Sequence, residues 1–293
     1  MTDEKAMRGW LKYAIYRTPV AVVLVGFYVP LLSLVVFSFW ERSGLWMEPA
    51  FSFTSYETLF STNVGQLGQS FSIGLATGFA ALLLAFPVAY LVTFISSDFQ
   101  RMVFLSVFAV PFFVSPFVRI LLLVPILGAD GVVNTALLSL GLINEPLGFL
   151  LFTNVSVLIG TLVSFMPFVI FTGWLSMEMI DSELKQAAED LGARPLTTVR
   201  TVIGPLALPG ILVGVLFVIA ASIGEAIFPR VLGGTDAVSI GLMTQRSFSQ
   251  LNVPFAAAVT VVSLLAYVVG LVAITQYVSL DELFTSFQEE EEE

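Results

Sequence analysis

Long apolar stretches separated by short polar segments run through almost the whole chain. A helix needs about 20 apolar residues to cross the hydrocarbon core of a bilayer. The charge-free stretches reach that length repeatedly, and Pro and Gly residues mark where each one ends. They predict six spans, at residues 19–40, 70–95, 103–126, 151–175, 206–228 and 255–277. The pattern therefore predicts an all-α, polytopic membrane protein with six transmembrane helices.

A different pattern occupies the loop between the fourth and fifth spans, residues 176–205. Its apolar residues recur at spacings of three and four, which places them on one face of a helix. Asp181 or Ser182 suits the N-cap of this helix, and Gly192 suits the left-handed residue that ends it. Pro195 suits the first position of a second short helix. The apolar residues are Met177, Ile180, Leu184, Ala187, Ala188 and Leu191.

The remaining loops carry fewer signals. Aromatic residues follow the first span and either anchor it at the headgroup level or contact substrate. Gly74 and Gly78 in the second span have the spacing that lets two membrane helices approach closely. After the third span, Asp130 or Asn134 is expected to cap a short helix at the outer surface.

Composition agrees with the membrane class and narrows the chemistry. The chain is 57% hydrophobic and 12% charged, with a mean hydropathy of +0.94. It has no Cys and no His, so thiol chemistry is excluded and the commonest general base and metal ligand are missing. No Gly-rich phosphate loop of the GxxxxGK[ST] kind occurs, so an ATP-driven function needs a partner. We predict no catalytic residues, no metal and no cofactor.

The distribution of basic residues predicts the orientation, because cytoplasmic loops are enriched in Lys and Arg. With the N-terminus inside, the cytoplasmic segments hold Lys5, Arg8, Lys12, Arg17, Arg101, Lys185, Arg194 and Arg200, and the outside keeps Arg42, Arg230 and Arg246. The predicted segments are a cytoplasmic N-terminus (1–18), the first transmembrane helix (19–40), a core of five helices that includes the 176–205 loop (70–277), and an acidic cytoplasmic tail (278–293). The tail contributes much of the net charge of −10.

The loop at 176–205 resembles a motif of a known family. It reads Gln186-Ala187-Ala188, three residues, Gly192, nine residues, then Val202-Ile203-Gly204-Pro205. Permease subunits of binding-protein-dependent ABC importers have Glu-Ala-Ala, three residues, Gly, nine residues and Ile-x-Leu-Pro at the same place. The departures are Gln186, Val202 and Gly204. Gln186 keeps the hydrogen-bonding reach of Glu without its charge.

This resemblance implies a fold, a mechanism and partners. The fold is that of a type I ABC importer permease with a cytoplasmic coupling helix. Residues 181–192, hereafter the coupling segment, dock in a groove of a separate ATPase whose closure moves the spans. The implied contact residues are Gln186, Ala187, Ala188, Asp190, Gly192 and Pro205. The implied partners are a second homologous permease in a heterodimer, two ATP-binding subunits, an external solute-binding protein and membrane lipid, with no nucleic acid. The implied location is a prokaryotic cell membrane.

A second, narrower resemblance concerns the solute. The run from Gly224-Glu225 through Pro229 to Gly233-Gly234, followed by Ile240-Gly241, is similar to the first permease subunit of spermidine/putrescine importers. The segment from Pro111 to Leu147, with Arg119 in the third span, is also similar to it. Leucines stand at 121–123, where that subunit usually has aromatic residues. The resemblance implies a polyamine as the solute. Related importers of iron(III), thiamine or another small solute share the cytoplasmic motif and stay open as alternatives.

Two charged residues in or beside spans are candidates for the translocation pathway. Intramembrane charges are costly, so they indicate function or mutual pairing. Arg119 and Glu225 lie equally far along two spans of the same direction, so they either form a structural ion pair or contact substrate. Asp130 and Asp236 in the outer loops are candidates for an outer gate or for contact with the binding protein.

Two other classes of function fit the composition poorly. An intramembrane enzyme without His or Cys needs paired carboxylates or a Ser/Lys dyad, and Glu225 is the one acidic residue inside a predicted span. A passive channel needs rings of pore-lining polar residues and has no use for a coupling helix.

Overall fold

Helices account for almost all of the regular structure. The computed structural model describes the backbone of residues 2–94, 96–235 and 237–277, and the side chains of residues 18–94, 96–235 and 237–273. The first part of the chain contains α1 (Thr2–Phe37), α2 (Thr54–Thr62), α3 (Val64–Phe94), α4 (Asp98–Phe113), α5 (Pro116–Leu127) and α6 (Val132–Ser139). The second part contains α7 (Asn154–Glu178), α8 (Ser182–Asp190), α9 (Pro195–Thr198), α10 (Gly204–Gly224), α11 (Ile227–Leu232), α12 (Ile240–Ser249) and α13 (Val253–Tyr277). Gly148–Leu150 forms a 3₁₀ turn and Val199–Ile203 a π-helical turn.

The prediction of six membrane spans is confirmed. Within the described residues, six helical stretches are long and apolar enough to cross a bilayer. They are Thr18–Phe37, Val64–Phe94, Pro116–Ser139, Asn154–Glu178, Pro195–Gly224 and Val253–Ala273. The predicted acidic tail at 278–293 lies outside the described residues.

The third predicted span is interrupted. α4 ends at Phe113 and α5 begins at Pro116, with Val114 in an extended conformation (φ −94°, ψ 129°). Proline has no N–H, and its ring disfavours the helical conformation at the residue before it. Pro116 therefore begins a new helix. The prediction of one continuous span over 103–126 was wrong at this point.

The larger compact unit comprises Val64–Met243 together with residues from Leu265 onward. Its core joins α3, α7 and α10 through small and aliphatic side chains. These are Ala81, Ala85, Ala89, Val169, Ile170, Met177, Ile203, Ala207, Ile211, Val215 and Val218. Gly74 and Gly78 on α3 face α10, where an added Cβ would overlap Ile223 or Ile219. The two glycines allow close helix approach, as their spacing predicts.

The smaller unit comprises residues up to Asn63 and Thr244–Leu264. Two short strands, β1 (Glu41–Ser43) and β2 (Trp46–Glu48), form an antiparallel hairpin that turns at Gly44. The neighbouring aromatic residues pack on one another, with the Phe39 and Phe51 rings stacked 5.2 Å apart. The Arg42 guanidinium donates a hydrogen bond to the backbone oxygen of Gln250 at 3.0 Å.

Candidate functional site

The loop between α7 and α10 forms two short helices, as its apolar spacing predicts. α8 covers most of the coupling segment, and α9 begins at Pro195. Asp181 is the N-cap of α8, and its carboxylate accepts a hydrogen bond from the N–H of Glu183 at 2.8 Å. This satisfies one of the amides that a helix N-terminus leaves free.

Gly192 ends α8 in a Schellman motif. Its φ is +80°, in the left-handed region that favours glycine. The N–H of Gly192 donates to Glu189 O at 2.9 Å, and the N–H of Ala193 donates to Ala188 O at 3.0 Å. These two bonds are the pair that defines the motif. The chain therefore turns sharply between α8 and α9, which gives the loop a fixed shape.

Most residues of the predicted ATPase-contact set are on the surface of the chain. Gln186, Ala187 and Asp190 are exposed, and Ala188 is half-buried. On the same short helix and its cap, Leu184 is 48% and Leu191 89% exposed. Exposed apolar residues grouped on one short element are typical of an interaction surface.

The other side of α8 is held against the end of α3. The Lys185 ammonium lies 5.3 Å from the centre of the Phe94 ring, and Phe94 is the last residue of α3. A cation over an aromatic face at this distance is attractive. The same ammonium lies 4.0 Å from the Glu189 carboxylate. The contact with Phe94 attaches the coupling segment to a membrane-spanning helix, and the contact with Glu189 holds the Lys185 side chain on α8.

Pro205 lies in the first turn of α10, which continues without a break from α9 and the π-helical turn. Immediately before it, the π-helical turn brings the N–H of Gly204 to the oxygen of Val199. A Cβ on Gly204 would lie 2.8 Å from that oxygen. Glycine at 204, where the resembled motif has Leu, is therefore required by this tight turn.

The structure contradicts the alternative that Arg119 and Glu225 form an ion pair. Arg119 donates to the backbone oxygen of Ser164 at 3.3 Å, and its Nε is buried without a partner. Glu225 turns its carboxylate to the N–H groups of Ala226 and Ile227, at 3.0 and 2.8 Å. The ion pairs that the structure contains among its described residues lie elsewhere. Equal depth along two helices did not determine the directions in which these side chains point.

Glu225 begins a tightly packed segment, and the structure explains why two positions of that segment are glycine. Gly234 has a φ of +70°, and an added Cβ would lie 2.6 Å from Phe152 O. Gly241 packs against the backbone of Gly224 and Glu225. The Ser239 hydroxyl donates to Glu225 O at 2.6 Å. Much of the resemblance over 224–241 therefore reflects how this segment folds.

The structure treats the candidate residues of the outer loops differently from one another. Asp130 is exposed, and the N-cap of α6 is Gly131, so capping by Asp130 or Asn134 was a wrong prediction. Asn134 is instead buried inside α6. It donates to Gly128 O at 2.9 Å and accepts from the N–H of Leu147 at 2.8 Å, and so it fixes the loop. Asp236 lies outside the described residues.

Sequence reasoning missed an ion pair beside the coupling segment. Arg101 in the first turn of α4 meets Glu178, the last residue of α7, with 2.8 Å between Nη1 and Oε1. Arg101 also donates to Thr93 O near the end of α3, at 3.0 Å. The sequence did show two opposite charges beside predicted spans on the same predicted side of the membrane. Only the fold shows that they lie close enough to pair.

Sequence reasoning also missed a cavity in the smaller unit, because its walls come from distant parts of the chain. The cavity holds about 310 Å³. It is lined by Trp40, Glu41, Arg42, Thr54, Ser55, Thr58, Asn252 and Phe255.

Comparison with known proteins agrees with the geometry. Residues 7–282 match the family described as binding-protein-dependent transport system inner membrane component. The chain is 32% identical to the spermidine/putrescine transport system permease protein PotB of Haemophilus influenzae, over 80% of this chain and 82% of PotB. It is 30% identical to PotB of Escherichia coli K12, over 85% and 90% of the two chains. A chain in the crystal structure of the bacterial alginate ABC transporter, in complex with alginate pentasaccharide-bound periplasmic protein, superposes with a TM-score of 0.73 at 17% identity, over 91% of this chain and 93% of that chain.

Proposed function

Since this chain belongs to the family of binding-protein-dependent transport system inner membrane components and is a permease subunit of an ABC importer, we propose that its solute is a polyamine of the spermidine and putrescine class. We further propose that a separate ATPase drives it through the coupling segment. The similarity to two PotB proteins over most of the chain supports the choice of solute.

The observation that supports the drive mechanism is the shape of the coupling segment. α8 is capped at both ends, carries exposed Leu184 and Leu191, and is attached to Phe94 through Lys185. Such a helix offers an apolar surface to a partner and a rigid connection to the spans. The contact surface in this proposal is formed by Gln186, Ala187, Ala188, Asp190 and Gly192. Pro205 lies at the start of α10, the helix that moves with this surface.

The proposed assembly follows from the need for a closed pathway and for an energy source. A half-transporter of six spans pairs with a second, homologous permease. Two ATP-binding subunits hydrolyse ATP on the cytoplasmic side, where both termini of this chain also lie, and a solute-binding protein delivers the polyamine from outside. Asp130 and Asp236 face that delivery step as candidate contacts.

Within the membrane, Arg119 and Glu225 are proposed to border the pathway. The buried, unpartnered Nε of Arg119 is unusual, because buried polar atoms almost always have a partner. Oε1 of Glu225 accepts hydrogen bonds from the N–H groups of Ala226 and Ile227, and the residue is only half-buried. A carboxylate so placed suits an ammonium group of a polyamine.

The test is uptake of labelled putrescine by cells that carry this permease with the transporter genes beside it. Unlabelled spermidine, iron(III) and thiamine serve as competitors. We expect ATP-dependent uptake that spermidine alone blocks. Uptake of another solute in place of polyamines would discard the proposed solute and keep the coupling mechanism. ATP-independent uptake would discard the mechanism.

A further inference from the structure

The ends of three long helices meet at one guanidinium. Arg101 belongs to α4, its Nη1 donates to Glu178 at the end of α7, and its Nη2 donates to Thr93 O in the last turn of α3. The side chains of Arg101 and Glu178 are only 27% and 39% exposed. The Nε of Arg101 is buried without a partner. The charge is therefore partly removed from water and held at a fixed place.

The electrostatics of the helix ends explain why a cation belongs there. The C-terminus of a helix carries a partial negative charge and carbonyls without intrahelical donors. Neither α3 nor α7 has a basic residue in its own last turn, and α7 ends on the carboxylate of Glu178. Arg101 supplies the missing positive charge to both helix ends at once.

The second half of α4 packs Phe108 against the core and Phe112 against Phe168 and Phe171 of α7. None of its residues, from Asp98 to Phe113, is buried. The contacts of Arg101 are polar, directional and shared with two core helices. They therefore fix the start of α4, whereas the aromatic contacts hold its second half.

The same corner is continuous with the coupling segment. Glu178 lies three residues before Asp181, the N-cap of α8. Thr93, which binds Arg101, is followed by Phe94, whose ring lies under Lys185 of α8. A displacement of α8 thus reaches α3 and α7 directly, and it reaches α4 through Arg101.

We propose that Arg101, paired with Glu178, is a positioning residue that makes α4 move with the coupling segment. This inference rests on the proposed function, in which the ATPase acts through residues 181–192. Without the pair, ATP hydrolysis continues but α4 no longer follows the coupling segment. The amount of solute carried per ATP then falls.

The experiment uses the assembled transporter, with its second permease, ATP-binding subunits and solute-binding protein, in proteoliposomes. The readouts are putrescine uptake and ATP hydrolysis on the same sample, expressed as solute carried per ATP. The variants are Arg101→Glu, Glu178→Arg and the double exchange. Glu178→Gln keeps nearly the same shape and removes only the negative charge. It tests the ion pair even if the charge-reversal variants fail to assemble. Asp98→Asn, an exposed change in the same turn of α4, is the matched control.

We expect each single reversal to lower solute carried per ATP by about fivefold or more, because it places like charges together at a half-buried site. The double exchange should recover part of the ratio and exceed both single reversals. It restores the ion pair and places each charge where the dipoles of α4 and α7 favour it, but a carboxylate at 101 cannot replace the hydrogen bond to Thr93 O. Asp98→Asn should match the wild type.

Wild-type ratios in Arg101→Glu and Glu178→Gln would overturn the proposal. So would a double exchange that assembles normally and stays as low as the single reversals, since the two side chains would then act separately. Gly192→Trp in the same assay distinguishes a failure of the proposed function from a failure of the Arg101 proposal. Unchanged transport by that variant would show that the coupling segment does not drive this permease, whatever Arg101 does.

Discussion

At the scale of single residues, position 192 needs a residue that adopts a left-handed φ and one that is small on the docking face, and these two needs can be tested separately. Its φ of +80° costs an L residue about 1–2 kcal/mol, and Asn tolerates it best. The space around it is open in this chain, since an added Cβ meets no atom within 4 Å. A large side chain therefore strains the turn but overlaps no atom of the permease, and its bulk can interfere only with a partner that packs against the turn.

We expect Gly192→Trp to reach the membrane in normal amounts and to abolish transport. Gly192→Asn keeps the left-handed turn and should retain more transport than Trp, because it projects less from the docking face. Membrane abundance by immunoblot and uptake in the same cells measure the two effects. Transport at the wild-type level by the Trp variant would contradict the role of this turn in coupling.

At the scale of helices, the contact of α3 with α10 depends on the absence of side chains at two positions. An added Cβ at Gly78 overlaps the side chain of Ile219, whereas one at Gly68, in the same helix, meets no atom within 4 Å. Alanine in place of glycine inside a helix otherwise gains roughly 0.5–1 kcal/mol. The two positions therefore make a matched pair with opposite expected signs.

We expect Gly78→Ala to destabilise the protein by about 1–3 kcal/mol through overpacking, and Gly68→Ala to be neutral or stabilising. Ile219→Ala in the Gly78→Ala background should recover part of the loss, because it removes the atoms that overlap. Thermal unfolding of the purified permease in detergent gives the comparison. Equal melting temperatures for the two alanine variants would show that α3 and α10 do not approach as described.

At the scale of the whole molecule, the orientation in the membrane is a prediction from charge alone. The chain has no cysteine, so a single introduced thiol is labelled without background. Glu145 and Glu183 are exposed and lie beyond opposite ends of α7. The 25 residues of that helix rise roughly 38 Å, enough to cross the bilayer.

We expect an impermeant maleimide to label Glu145→Cys in cells with an intact inner membrane. Glu183→Cys should react only after permeabilisation, because the coupling segment faces the ATPase inside. Transport by both variants is the control for correct folding. Labelling of Glu183→Cys alone from outside would reverse the predicted orientation.

The features that sequence predicted well are those set by local chemistry. Apolar length sets the spans, and the φ preference of Gly192 and the ring of Pro195 set the turn after α8. The features it missed depend on direction in three dimensions. Equal depth could not show that Arg119 turns to Ser164 O, and no local pattern brings Arg101 to Glu178. Pro116 was ambiguous, because a membrane helix accepts a proline as a kink or stops at it.

The interruption at Val114 and Ser115 limits what that side of the protein can face. The 16 residues of α4 rise roughly 24 Å, which is less than the thickness of the hydrocarbon core, so a helix of this length that starts at its edge stops inside it. The carbonyl of Phe112 has lost its usual donor, because the residue four positions on is Pro116. Hydrocarbon contains no hydrogen-bond donor, so leaving this oxygen unpaired there costs several kcal/mol. If this point lies in the hydrocarbon, water, a side chain of a neighbouring helix or another polypeptide must therefore meet it in place of lipid tails.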